Sequence, residues 1–131
     1  MSYQCFNVTH HGAIAHVQLS RPEALNAMNA AFWLELPQCM RDLEASGQTR
    51  VIVISSTGKH FSAGMDLAVF SNPKSVPMAG DPGRMAENLR RVVLQLQDTL
   101  SALEEVRVPV LVAVHGGCIG GALDMVCAAD S

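Results

Sequence analysis

Residues 108 to 130, VPVLVAVHGGCIGGALDMVCAAD, constrain this chain more than any other stretch. Pro109 starts a β-branched run, Val110 to Val114, that reads as a strand. The run enters the glycines Gly116, Gly117, Gly120 and Gly121 and then an apolar helix pattern from about Gly120 to Ala128. A strand handed through a glycine turn to a helix is the local pattern of an α/β layer. Glycines at such a junction can set bare N–H groups against a ligand, or can simply permit the turn and close helix packing. Asp124 sits inside the apolar helix, three residues past Gly121 and on the face turned back toward it. Its neighbours Ala122, Leu123, Met125 and Val126 predict low-dielectric surroundings. Burial there would raise its carboxyl toward the range of a proton-transfer group. An aspartate satisfied by backbone or an arginine is the alternative.

Upstream, residues 4 to 20 read as a β-hairpin turning at His11-Gly12, with partial alternation over Ala13 to Leu19. Residues 21 to 28, RPEALNAM, form a connector. Asn29 or a neighbour caps a helix to about Ala45, with Phe32, Leu36, Met40 and Leu43 as its apolar stripe and Gly47 as its stop. Pro37 inside that stripe predicts a kink or a break into two helices. Val51 to Ser55 reads as a strand covered on both faces. Residues 70 to 83 are turn-rich and read as mobile. A long helix follows over about Arg84 to Glu105, burying Leu89, Val92, Val93, Leu96, Leu100 and Leu103. The order describes parallel strands with helical crossovers, and ligands in such folds bind beyond the strands' carboxyl ends. The loops at 56 to 67 and 115 to 121 both leave such ends, so one site can take both.

At 131 residues the chain suits one domain. A net charge of −3, with no basic stripe, argues against nucleic acid. The adjacent Arg90 and Arg91 read as a solvated helix face. No apolar run approaches the ~18 residues of a membrane span. The N-terminal MSYQCFNV lacks the features of a signal peptide, which together with reduced cysteines implies a cytoplasmic protein. Cys5, Cys39, Cys118 and Cys127 show no metal-ligand spacing.

Two familiar glycine motifs fail. Gly58-Lys59 is followed by His60 where a P-loop needs serine or threonine, and GGCIGG has the wrong spacing for a dinucleotide fingerprint. Two readings stay open: glycines that only permit turns and close helix packing, or an oxyanion hole in which one N–H from the SAGMD loop near Met65 and one near Gly121 converge on a carbonyl oxygen becoming an enolate. Asp66 reads as a brace of its own loop. His60 and His115 lie close enough in sequence to touch a substrate, but neither has an evident orienting partner. Lys59 reads as solvated or as meeting a ligand phosphate, and Phe61 and Phe70 read as packing.

Three motifs in order, HVQLSRPEALNAMN, GKHFSAGMDL and PVLVAVHGGCIGGALDMVCAAD, resemble the enoyl-CoA hydratase/isomerase, or crotonase, family over the whole chain. The resemblance implies a crotonase-like (ClpP/crotonase) spiral of repeated ββα units instead of a doubly wound sheet. It implies that residues 1–131 are the N-terminal part of a single CoA-binding and catalytic domain, truncated after the second oxyanion-loop helix. Met65 and Gly121 match the two oxyanion N–H donors. Ser62, Ala63, Gly64, Met65, Asp66 and Leu67 match the segment that wraps coenzyme A, which belongs to the substrate, so that no separate cofactor and no metal is implied. Family members assemble as trimers or dimers of trimers.

Asp124 separates branches of that family. Hydratases carry glutamate there, whereas HGGCIGGALDM is most similar to the Δ3,5-Δ2,4-dienoyl-CoA isomerase branch. The implied reaction takes a proton from C2 and returns one at C6, with Asp124 as the distal acid and a partner base beyond Ser131. The alternatives are an enoyl-CoA hydratase or other crotonase-type lyase or isomerase, and a non-catalytic acyl-CoA-binding or assembly subunit.

Overall fold

The N-terminal alternation folds into an antiparallel hairpin, β1 (Phe6–His11) with β2 (Ile14–Leu19), in a computed structural model that describes residues 3–65 and 82–131. His11 pairs with Ile14, so the turn is Gly12-Ala13, one residue later than expected. Gly12 takes φ +62°, which suits the first position of a two-residue hairpin turn and which only glycine adopts freely. Ala15, Val17 and Leu19 point into the core, with His16 and Gln18 between them half-buried.

Helix α1 (Ala30–Ala45) starts where its capping signal stands: the Asn29 side chain accepts the Phe32 N–H at 2.9 Å. It buries Phe32, Trp33, Leu36, Cys39, Met40 and Leu43, and Gly47 follows its end at φ +69°. Pro37 does not break it, and the helix is one uninterrupted element. Proline cannot donate to the carbonyl four residues back, which is that of Trp33. The buried Thr99 hydroxyl of the crossing helix takes that place, its one proton shared between the Trp33 carbonyl and the Gln95 carbonyl of its own helix, each at 3.1 Å.

Strand β3 (Val51–Ser56) lies parallel to β2, and β4 (Val110–Val112) lies parallel to β3, giving the order β1-β2-β3-β4. Each strand adds beside the last. A doubly wound sheet needs a reversal in strand order, so the periodicity-based expectation gives way to the progressive stacking that the family resemblance implied. β3 was expected to be covered on both faces. Instead Ile52, Ile54 and Ser56 are buried and Val51, Val53 and Ser55 only half-buried, so one face meets the core.

Helix α2 (Pro82–Glu105) opens with Pro82 and Gly83, the end of the turn-rich stretch read over 70 to 83; the rest of that stretch lies outside the described residues. Its expected stripe is only half buried. Leu103 is buried, and Leu96 and Leu100 pack on the core, but Leu89 and Val93 are exposed. The reason is length: at ~1.5 Å per residue, α2 outruns the shorter α1 on which it packs. Arg90 and Arg91 face solvent against Glu87, as read. After helix α3 (Gly121–Ala128) the chain returns along the outer edge of β4. There Val112 N–H donates to the Ser131 carbonyl at 2.7 Å, and the Asp130 carboxylate accepts the Val110 N–H at 2.7 Å.

Candidate active site

The site is built from the connector between β2 and α1 and from the loops after β3 and β4. Leu25 and Asn26 both adopt left-handed backbone, at φ +55° and +52°. Asparagine tolerates that region, and here its side chain is put to use. Asn26 is buried. Its oxygen accepts the Arg21 N–H at 2.8 Å, and its amide donates to the carbonyls of Thr57 at 2.7 Å and His60 at 3.5 Å. RPEALNAM is thus more than the connector its composition suggests. An asparagine closing a proline-started turn was the signal that it did more.

Ser62 is fully buried. Its hydroxyl donates to the Asn26 carbonyl at 2.7 Å and accepts the Gly64 N–H at 3.1 Å, so its side chain braces the first loop. Its backbone ties that loop to the second: Ser62 N–H donates to the Gly117 carbonyl and Ile119 N–H to the Ser62 carbonyl, both at 3.2 Å. Ala63 N–H bonds the Leu25 carbonyl at 3.0 Å, and Met28 N–H bonds the Gly64 carbonyl at 2.7 Å. Three segments distant in sequence are thereby held at one point.

At that point Gly64 stands at φ +90°, so close to the second loop that a Cβ would lie 2.5 Å from the Ile119 carbonyl oxygen and 3.5 Å from the Gly121 nitrogen. Met65 follows it. Gly121 opens α3 after Gly120 at φ +58°, where helix N–H groups have no intrahelical partner and the dipole is positive. Among the described residues neither the Met65 nor the Gly121 N–H has an acceptor. Within the described residues, both backbone donors expected from sequence are thus left without a partner. Met28 and Trp33 form the floor, 3.2 Å and 3.7 Å from where a Cβ at Gly121 would stand, with the Trp33 indole N–H donating to the Met28 carbonyl at 3.2 Å.

Gly116 and Gly117 do something else. A Cβ at Gly116 would lie 2.3 Å from the Lys59 carbonyl oxygen, and one at Gly117 would lie 3.0 Å from the His60 ring. They admit the first loop rather than a ligand. His60 Nδ1 accepts the Gly117 N–H at 2.8 Å, and His115 Nε2 donates to the Gly58 carbonyl at 2.8 Å. Both histidines thus have the orienting partners that sequence reading did not find.

Asp124 departs from expectation. It is exposed, because α3 turns only Ala122 and Met125 fully into the core and leaves Leu123 and Asp124 outside. It lines a cleft of about 460 Å³ with Gln97, Leu100, Ser101, Glu104 and Ala128. Asp66, Leu67 and Phe70 lie outside the described residues. Phe61 is fully buried packing, and Lys59 is exposed. Burial pushes the Cys39 thiol up to about 12 and the Cys5 thiol up to about 11, so neither offers a thiolate near neutral pH. Among the described residues no three His, Cys, Asp or Glu side chains cluster as metal ligands, and no helix is long and apolar enough to cross a membrane.

The comparisons with known proteins converge. Residues 9–131 match the family model described as enoyl-CoA hydratase/isomerase. The mouse mitochondrial Δ3,5-Δ2,4-dienoyl-CoA isomerase is 42% identical over 117 residues, covering 89% of this chain and 36% of that protein. The peroxisomal Arabidopsis thaliana isomerase of the same name is 38% identical over 119 residues, covering 90% and 43%. The chain therefore spans about two fifths of the length of the curated relatives it matches. Among solved structures, an enoyl-CoA hydratase/carnithine racemase from Magnetospirillum magneticum superposes with a TM-score of 0.81 at 26% identity, over 98% of this chain and 45% of that one. An enoyl-CoA hydratase/isomerase from Xanthobacter autotrophicus Py2 gives 0.82 at 25% identity over the same shares. The fold is crotonase-like, and the chain belongs to the enoyl-CoA hydratase/isomerase family.

Proposed function

We propose that this chain supplies the oxyanion hole and the distal acid for isomerisation of a 3,5-dienoyl-CoA to a 2,4-dienoyl-CoA. The observation that carries the reading is a pair of N–H groups, Met65 and Gly121, that have no acceptor among the described residues and stand on two loops tied together at Ser62. A base takes the C2 proton of the thioester, and the electron pair spreads through both double bonds onto the thioester oxygen. The two N–H groups hold that oxygen; losing one such donor costs about 3 kcal/mol in the transition state. Asp124 then delivers one proton at C6, which leaves the double bonds conjugated with the thioester. The carboxyl stands exposed on the cleft it lines with Gln97, Leu100, Ser101, Glu104 and Ala128, where an acyl chain can reach it.

In this reading the segment Ser62, Ala63, Gly64, Met65, Asp66 and Leu67 wraps the coenzyme A of the substrate, with Ser62 acting through the loop it braces. Residues 1–131 form part of a single catalytic domain, the assembly is a homotrimer or dimer of trimers, and the setting is cytoplasmic. The higher identity to dienoyl-CoA isomerases, together with aspartate at 124, favours isomerisation over hydration. The test is Asp124→Asn in the enzyme. Turnover of 3,5-dienoyl-CoA is expected to fall about 10²- to 10⁴-fold while acyl-CoA affinity holds. Undiminished turnover would remove Asp124 from the reaction.

A further inference from the structure

The His60 imidazole reaches from the first loop into the turn of the second. Its own carbonyl is anchored by the Asn26 amide at 3.5 Å and the Ser56 hydroxyl at 3.3 Å. Its Nδ1 accepts the Gly117 N–H at 2.8 Å, which fixes the neutral tautomer with the proton on Nε2. Gly116 and Gly117 make room for the ring, since a Cβ on either would come within 3.1 Å of Nδ1. The Gly117 carbonyl then accepts the Ser62 N–H, and the Ile119 N–H donates back to the Ser62 carbonyl, two residues before Gly121. The path from this imidazole to the α3 start is short: it runs through Gly117, four residues before Gly121, and through the Ser62–Ile119 bond between them.

We propose that His60 is a positioning residue: by accepting the Gly117 N–H it sets where the Gly121 N–H stands relative to Met65, without itself touching substrate. The kinetic consequence rests on the oxyanion-hole reading above; the structural consequence does not. A hydrocarbon at position 60 leaves the Gly117 N–H without its acceptor and frees the turn to relax. A displacement of even an ångström at a catalytic donor costs up to about 10²-fold in rate.

The experiment compares His60→Leu with His60→Asn, whose side-chain oxygen can stand in for Nδ1; His60→Ala repeats the comparison should leucine prevent folding. Amide NMR of the chain is expected to show the Gly117 and Gly121 resonances moved in His60→Leu and largely restored in His60→Asn. Turnover is expected to follow, with kcat lowered about 10- to 100-fold by leucine, KM for the acyl-CoA little changed, and kcat recovered by asparagine at equal folded fraction. A role confined to stability would lower the melting temperature and leave kcat per folded molecule intact, which overturns the proposal. So does a Gly121 resonance that does not move in His60→Leu. If the resonances respond as expected but the wild-type protein turns over no dienoyl-CoA, the oxyanion reading fails and the positioning of Gly121 by His60 stands.

Discussion

At Gly64 two demands on one residue coincide: a left-handed φ of +90° and a backbone oxygen, that of Ile119, 2.5 Å from where a Cβ would stand. Gly120 shows the contrast, with φ +58° but nothing within 4 Å. Gly64→Ala is therefore expected to cost at least about 1–3 kcal/mol from backbone strain alone, and to push the first loop off the start of α3. A urea midpoint equal to that of the parent would contradict the packing described. The glycine-rich loops around Met65 and Gly121 were legible as strand-to-helix turns because glycine spacing is a local signal. The work of Gly116 and Gly117 was not, because their neighbour His60 lies 57 positions away from Gly117 and only the fold brings them together. Asp124 was misjudged for a different reason. Apolar neighbours on both sides do not bury a helical residue; the face does, and α3 turns Asp124 outward.

At the scale of elements, the intact α1 is explained by a bond from another helix. Pro37 orphans the Trp33 carbonyl, and Thr99 of α2 satisfies it. Thr99→Val keeps the shape and removes the donor, so it is expected to cost about 1–3 kcal/mol. In a Pro37→Ala background, where residue 37 can donate to Trp33 itself, the same change should cost much less. A double-mutant cycle in urea measures this coupling, and equal costs in both backgrounds would refute it. Sequence periodicity located the three α-helices among the described residues to within a few residues, since stripe, cap and stop signals are local; it missed the single 3-10 turn at Pro22–Ala24. Which part of the α2 stripe is buried depends on the length of its neighbour, and no local pattern reports that. Thr99 escaped notice because it is polar, although it stands between Leu96 and Leu103 on the buried face.

For the whole molecule, alternation of strand and helix was enough to read an α/β chain, but not the way its strands are ordered. Parallel strands with crossovers describe a doubly wound sheet and a progressive one equally well. The order β1-β2-β3-β4 distinguishes them, and it brings the loops after β3 and β4 side by side at the Ser62 and Cys118 pairing. The three motifs anticipated that arrangement because they encode the loops that the sheet brings together. The central claim is that these loops form one oxyanion hole serving double-bond migration. Absorbance of the thioester, followed with 3,5-dienoyl-CoA and with trans-2-enoyl-CoA in turn, tests it most directly. The conjugated 2,4-dienoyl absorbance is expected to grow from the first, with no comparable loss of the enoyl absorbance from the second. Water addition to trans-2-enoyl-CoA without conversion of the dienoyl substrate would contradict it.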